Sequence, residues 1–312
     1  MNKVSIEKVS IIIPVYNSSE TISLLVDKIQ ADITIYKELE IVLVNDGSRL
    51  DNSSEVCENI ATTNPKVKFI NLSRNFGEHN AVLCGLGYVT GDYVAIIDDD
   101  FQNPPSEIIK LVGKAKENNY DVVYSRYKKK KHHWFRNLGS KFNDLVAAWL
   151  LDKPKGLYLS SFKLIKKELV DEIVRYKGPF PYIDGLILRV TDNIATKTVK
   201  HSDRQSGESN YTLSKLISLW LNMFVNFSIK PLRIATVIGI VISFFSFMLG
   251  FYMALEKIIH PDIAIGWTSL IVSVLFLSGI QLIFLGIIGE YLGKQYLDQN
   301  GTPGFVVKEE YL

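Results

Sequence analysis

Val94-Ala95-Ile96-Ile97-Asp98-Asp99-Asp100 is the stretch from which the rest of the chain can be read. Four consecutive apolar residues mark a buried strand, and three carboxylates stand where that strand leaves its sheet. Three negative charges at one sheet edge repel each other unless something positive lies among them. A divalent cation is the simplest such group, and hard oxygen ligands suit Mg²⁺ or Mn²⁺. The alternative is an acidic, solvated turn.

Outward from this stretch, short apolar runs at 9–15, 41–44, 67–70, 93–97 and 122–124 alternate with helical patterns at about 19–31, 52–62, 79–89 and 105–118. Such βαβα alternation predicts an α/β domain built on a parallel sheet with helices on both faces. Ligands of these folds bind at the carboxyl ends of the strands. Pro14-Val15-Tyr16-Asn17, Asn45-Asp46-Gly47-Ser48, Ser73-Arg74-Asn75 and Asp98-Asp99-Asp100 all follow strands, so four polar clusters share one edge.

The second half is written for another solvent. Residues 234–255 and 263–289 carry no charged side chain. As helices, both are long enough to cross the roughly 30 Å of a bilayer core. Lys230 and Arg233 precede the first span and Lys294 follows the second. The loop between them holds Glu256, Lys257, His260 and Asp262. The positive-inside rule then places both termini in the cytoplasm of a multi-pass plasma (inner) membrane protein. Expected boundaries are a cytosolic domain at 1–211, an amphipathic helix at 212–230, spans at 231–256 and 263–289, and a cytosolic tail at 290–312. The 212–230 helix either lies in the membrane interface or packs on the domain. The tail packs back or adds a strand through Phe305-Val306-Val307.

Composition adds exclusions. The chain has 312 residues and a net charge of +2, so nothing global points to nucleic acid. Cys57 and Cys84 lack metal spacing and read as free thiols in a reducing compartment. The polar stretch 1–8 is too short for a signal peptide. The five histidines show no zinc-ligand spacing and read as structural or surface groups, with His201 placed towards an acceptor.

Several residues carry two readings. The Asp46 carboxylate, left free by a tight turn, accepts a hydrogen bond from a nucleobase ring, or it forms an Asx turn or helix cap. Arg74 pairs with a diphosphate or the acidic cluster, or makes a plain surface salt bridge. The run from Arg126 through Lys128 to Arg136 is either a solvated loop or an attractor for anionic headgroups and a lipid phosphate.

Taken together, Ser10-Ile11-Ile12-Ile13-Pro14-Val15-Tyr16-Asn17, Val44-Asn45-Asp46-Gly47-Ser48, Leu72-Ser73-Arg74-Asn75-Phe76-Gly77 and Ile97-Asp98-Asp99-Asp100-Phe101-Gln102-Asn103-Pro104-Pro105 resemble family 2 glycosyltransferases. Within that family the chain is similar to the polyprenyl-phosphate glycosyltransferases, including dolichol-phosphate mannose synthases and the undecaprenyl-phosphate glucosyl and formamido-arabinose transferases. Arg204-Gln205-Ser206-Gly207-Glu208-Ser209-Asn210-Tyr211 matches their R-x-x-G-x-S run. Lys230-Pro231-Leu232-Arg233 and Gly289-Glu290-Tyr291-Leu292-Gly293 fit their membrane hairpin.

The resemblance implies a GT-A, Rossmann-like nucleotide-sugar domain and inverting transfer of a sugar from a nucleotide-sugar, UDP-linked in the nearest branch, to a polyprenyl phosphate. It implies that Pro14, Tyr16, Asn17, Asp46, Arg74, Asp98 and Asp99 line the donor, and that Asp98 and Asp100 hold Mg²⁺ or Mn²⁺. Asp100, Gln102 and Arg204 then serve the reaction, while Arg126, Lys128, Arg136 and Ser209 meet the acceptor phosphate and lipid. Rival readings are a GDP-mannose-dependent synthase and a catalytically idle membrane scaffold. Small residues in the spans leave room for a homo-oligomer.

Three departures stand out. Many relatives carry Gly-Asp-Phe-Arg where this chain has Ser160-Ser161-Phe162-Lys163; if that Asp serves them as base, Ser161 cannot do so. Either the ionised acceptor phosphate needs none, or Asp99, Glu208 or Asp184 replaces it. Asn17-Ser18-Ser19-Glu20 and Glu78-His79 also differ from the usual pattern, which bears on the donor pocket.

Overall fold

The computed structural model describes residues 8–127, 153–154, 156–201, 230–259 and 266–312. The first of its two compact units comprises 1–211 with 301–312, and the second 212–300.

The first unit is organised by an eight-stranded sheet. Its strands are β1 (Lys8–Val15), β2 (Glu38–Asn45), β3 (Val67–Leu72), β4 (Tyr93–Ile96), β5 (Val122–Tyr127), β6 (Lys163–Lys166), β7 (Ile194–Val199) and β8 (Val307–Tyr311), in the spatial order β7-β5-β6-β4-β1-β2-β3-β8. The four central strands β4, β1, β2 and β3 are parallel.

Helices α1 (Ile22–Asp32), α2 (Ser53–Thr63), α3 (Glu78–Leu86) and α4 (Glu107–Glu117) connect the early strands. Helices α5 (Lys167–Ile173) and α6 (Ile183–Val190) follow β6. Ile11 and Ile13 join the buried cluster that includes Ile22, Leu25 and Ile29 of α1 and Leu111 of α4. Ile12 and Val44 point the other way, where Gly85 of α3 lies so close that a Cβ would meet the Ile12 Cγ2 at 2.8 Å. A strand covered on both faces has no reason to alternate, which accounts for the unbroken Ile11-Ile12-Ile13 run.

The sheet is not wholly parallel, which corrects the expectation from alternation alone. β6 runs antiparallel between β4 and β5, and β8 runs antiparallel along β3. β6 returns after a long excursion from β5, and β8 arrives from the far end of the chain, so neither belongs to a βαβ unit. Tyr311 of β8 stacks on Phe69, with ring centroids 5.8 Å apart, and donates to Glu58 at 2.7 Å.

The second unit contains α7 (Lys230–Ile259) and α8 (Trp267–Gln299). Both are long and apolar enough to cross a membrane, over Leu232–Tyr252 and Leu270–Gln299. Helix α8 continues ten residues past 289, where the expected span ended.

Candidate functional site

The chain runs from β1 to β2 to β3 in one direction, then crosses back to place β4 on the other side of β1. The turning point lies between β1 and β4, where sheets of this kind open a crevice at their carboxyl ends. The segment after β4 bends sharply there. Phe101 has φ +60°, an unfavourable conformation for a bulky residue. Its partly buried ring packs against the core, and the turn brings the Gln102 N–H to Asp100 Oδ1 at 3.0 Å.

Each of the three carboxylates has its own support. Asp98 Oδ2 accepts the Ser161 hydroxyl at 2.6 Å. Asp99 turns back to β1, where its Oδ2 accepts the Ser18 hydroxyl at 2.5 Å and the Tyr16 N–H at 3.2 Å. Thr21 Oγ1 donates to the Asp99 carbonyl at 3.0 Å. Desolvation, with added repulsion from Asp98 and Asp100, pushes Asp99 up to about 6 despite these donors. At the start of α3, desolvation and then the charge on Asp98 push Glu78 up to about 7, a shift that the exposure of this residue to solvent reduces.

The turn after β2 is locked to the turn after β3. Gly47 has φ +63°, and a Cβ there would lie 2.3 Å from the Arg74 carbonyl carbon. This contact brings the Phe76 and Gly77 N–H groups to the Asp46 carboxylate at 2.7 and 2.9 Å. Asp46 is therefore not left free by its turn, as the sequence suggested, because both oxygens receive backbone donors. Burial pushes its pKa up, and the two N–H groups only partly offset this. Asp46 does not cap α2 either: the N-cap is Asn52, and the Asp51 Oδ1 ahead of it accepts the Ser53 N–H at 3.1 Å.

Asn17, in the left-handed region at φ +54°, receives the Arg49 and Leu50 N–H groups, each at 3.2 Å. Arg74 is exposed, its guanidinium 4.9 Å from the centre of the Phe76 ring. Tyr16 is 49% exposed, so its ring is open to a flat ligand at the crevice mouth. Pro14, Tyr16, Asn17, Asp46, Arg74, Asp98, Asp99, Asp100 and Gln102 thus all lie at the carboxyl ends of the central strands. Arg126 is exposed at the end of β5. Lys128, Arg136, Arg204, Glu208, Ser209 and the 212–229 segment lie outside the described residues.

Deeper in the domain, Lys163 and Asp184 form a buried ion pair, and Tyr124 donates to Asp184 Oδ1 at 2.8 Å. A carboxylate held this way is a structural anchor, which counts against Asp184 as a replacement base. Sequence reasoning missed this trio and the Ser18 and Ser161 bonds, because each depends on strands distant in the chain. Burial pushes His79 down to about 4, and its ring meets Tyr182 edge-on at 5.0 Å.

No group of three or more His, Cys, Asp or Glu side chains suited to a metal occurs among the described residues. A hard cation still fits the donor set. Mg²⁺ and similar ions are commonly held by one or two carboxylates together with substrate phosphates. Asp98 and Asp100 offer two carboxylates, one accepting the Ser161 hydroxyl and the other the Gln102 N–H.

The family model described as Glycosyl transferase family 2 matches residues 10–174. A relative from Bacillus subtilis (strain 168), the uncharacterized glycosyltransferase YkcC, is 33% identical over 304 residues, covering 97% of this chain and 94% of its own. The undecaprenyl-phosphate 4-deoxy-4-formamido-L-arabinose transferase of Enterobacter sp. (strain 638) is 31% identical over 312 residues, 99% of this chain and 95% of its own. The enzyme of the same name from Proteus mirabilis (strain HI4320) is 32% identical over 308 residues, with 97% and 94% covered. Among solved structures, glucosyl-3-phosphoglycerate synthase from Mycobacterium tuberculosis, crystallised with Mn²⁺, UDP and phosphoglyceric acid, superposes with a TM-score of 0.51 at 20% identity, over 68% of this chain and 74% of that one. The first unit has the GT-A fold, and the chain belongs to glycosyl transferase family 2.

Proposed function

We propose that this glycosyltransferase moves a sugar from a UDP-linked donor to a polyprenyl phosphate, undecaprenyl phosphate in a bacterial host, with inversion at the anomeric carbon. The observation that carries this reading is the cluster of Tyr16, Asp98, Asp100 and Gln102 at the carboxyl ends of β1 and β4, in a chain whose second unit offers two membrane-length helices. Near-full-length likeness to relatives named for undecaprenyl-phosphate transfer supports the acceptor class. The flanking Lys230, Arg233 and Lys294 support a site on the cytoplasmic face.

In this reading the exposed Tyr16 ring and the Asn17 loop take the nucleotide, with Asp46 bracing the turn beneath it. Asp98 and Asp100 would hold Mg²⁺ or Mn²⁺, which when bound neutralises charge on the leaving diphosphate. A phosphate oxygen of the acceptor forms the new bond to the anomeric carbon. The bond from that carbon to the diphosphate breaks, and the nucleoside diphosphate leaves with the electron pair. A phosphate monoester has a second pKa near 6, so most of the acceptor already carries two charges at pH 7. No proton needs to be removed, and positioning and charge balance become the protein's main tasks. Arg126, Lys128, Arg136, Arg204 and Ser209 are assigned to that balance. Ser161 in place of a carboxylate is compatible with such chemistry.

Isothermal titration of the detergent-purified chain with UDP and GDP, with and without Mn²⁺, tests the donor class. UDP binding strengthened by Mn²⁺, with GDP much weaker, is the expected result. Preference for GDP would overturn the UDP assignment in favour of the mannose-donor reading.

A further inference from the structure

We propose that Ser161 is a positioning residue for the cation site: its hydroxyl sets the orientation of Asp98, and so the affinity of the site for Mg²⁺ or Mn²⁺. The inference rests on the reading of Asp98 and Asp100 as the cation's carboxylates.

The geometry follows from strand register. β4 and β6 pair antiparallel with Ile96 opposite Lys163. Continuing that register by two residues sets Asp98 opposite Ser161, where the hydroxyl donates to Asp98 Oδ2 at 2.6 Å. The segment that leads from Ser161 into β6 is pinned just after the contact. Phe162 is fully buried and its carbonyl accepts the Ser125 N–H at 3.1 Å, while Lys163 is tied to Asp184.

The two serines ahead of β6 have different partners. Ser160 is buried in a hydroxyl network with Ser125 at 2.8 Å and Tyr127 at 3.1 Å. Ser161 turns to the acidic cluster. A hydroxyl donor on a metal-binding carboxylate fixes which oxygen is presented, and loss of such outer partners typically costs about 10- to 100-fold in metal affinity. The position therefore contributes a hydrogen bond to the acidic cluster.

The test uses the full-length protein in detergent with UDP present, titrated with Mn²⁺ and read by electron paramagnetic resonance. Ser161→Ala should weaken Mn²⁺ binding about ten-fold, whereas Ser161→Thr, which keeps the hydroxyl, should bind as wild type does. Nucleotide release at saturating Mn²⁺ should fall far less in Ser161→Ala than Mn²⁺ affinity does. Unchanged Mn²⁺ affinity in Ser161→Ala, alongside lost affinity in Asp100→Asn, would overturn the positioning role and leave the cation site standing. If Asp100→Asn also bound Mn²⁺ like wild type, the cation reading would fail and the proposal with it.

Discussion

Gly47 has no room for a side chain. Its φ of +63° is costly for any L-residue, and the Arg74 backbone occupies the place a Cβ would take. Gly47→Ala is expected to destabilise the domain by at least about 1–2 kcal/mol from the backbone conformation alone. It should also separate the two turns that hold Asp46, lowering nucleotide affinity. Thermal unfolding and UDP binding check both effects, and an unchanged melting midpoint would contradict the account. At this scale the sequence was informative about position and less so about partners. Asp98, Asp100 and Tyr16 could be placed at strand ends from apolar runs alone. The tie between Asp46 and Phe76-Gly77, the grip of Ser18 on Asp99 and the Ser161 contact join turns 30 to 81 residues apart, and local patterns do not encode such distances.

Among elements, the central strands were legible because each is a short apolar run bounded by polar turns. β6 was not, since Lys163-Leu164-Ile165-Lys166 resembles the start of a helix as much as an antiparallel strand. At the opposite, amino end of the sheet, Glu40 ties several elements together. It accepts the Ser10 hydroxyl of β1 at 2.5 Å and the Thr90 N–H ahead of β4 at 2.9 Å, and it lies 3.0 Å from Lys68 of β3. Desolvation by itself would raise Glu40, but the Ser10 and Thr90 bonds and the Lys68 charge outweigh it and hold its pKa below the ordinary 4.5. A depressed folded-state pKa means the ionised carboxylate stabilises the fold above the unfolded value, and that contribution is lost as pH falls below about 4.5. Glu40→Gln should therefore melt below wild type at neutral pH, with the gap narrowing as pH drops through that range. A gap independent of pH would show that the charge on Glu40 does not contribute.

For the whole molecule, the division between a mixed α/β unit and two long apolar helices was legible from the distribution of charge, since nothing charged interrupts residues 234–255 or 263–289. The return of the C-terminal strand to β3 was legible only as an apolar run with two outcomes. The strand forms slightly later than that run, at Val307–Tyr311, where Tyr311 meets Phe69. A GT-A domain carried in one chain with membrane-length helices suits an acceptor that resides in a bilayer, and lipid-dependent turnover is the central claim. The decisive measurement is UDP release by the purified full-length protein given UDP-sugars and Mn²⁺, with and without undecaprenyl phosphate. Release that requires the lipid phosphate, yields a lipid-linked sugar by mass spectrometry and disappears in Asp100→Asn is the predicted result. UDP release at the same rate without the lipid, or a lipid-linked product made equally well by Asp100→Asn, would contradict it.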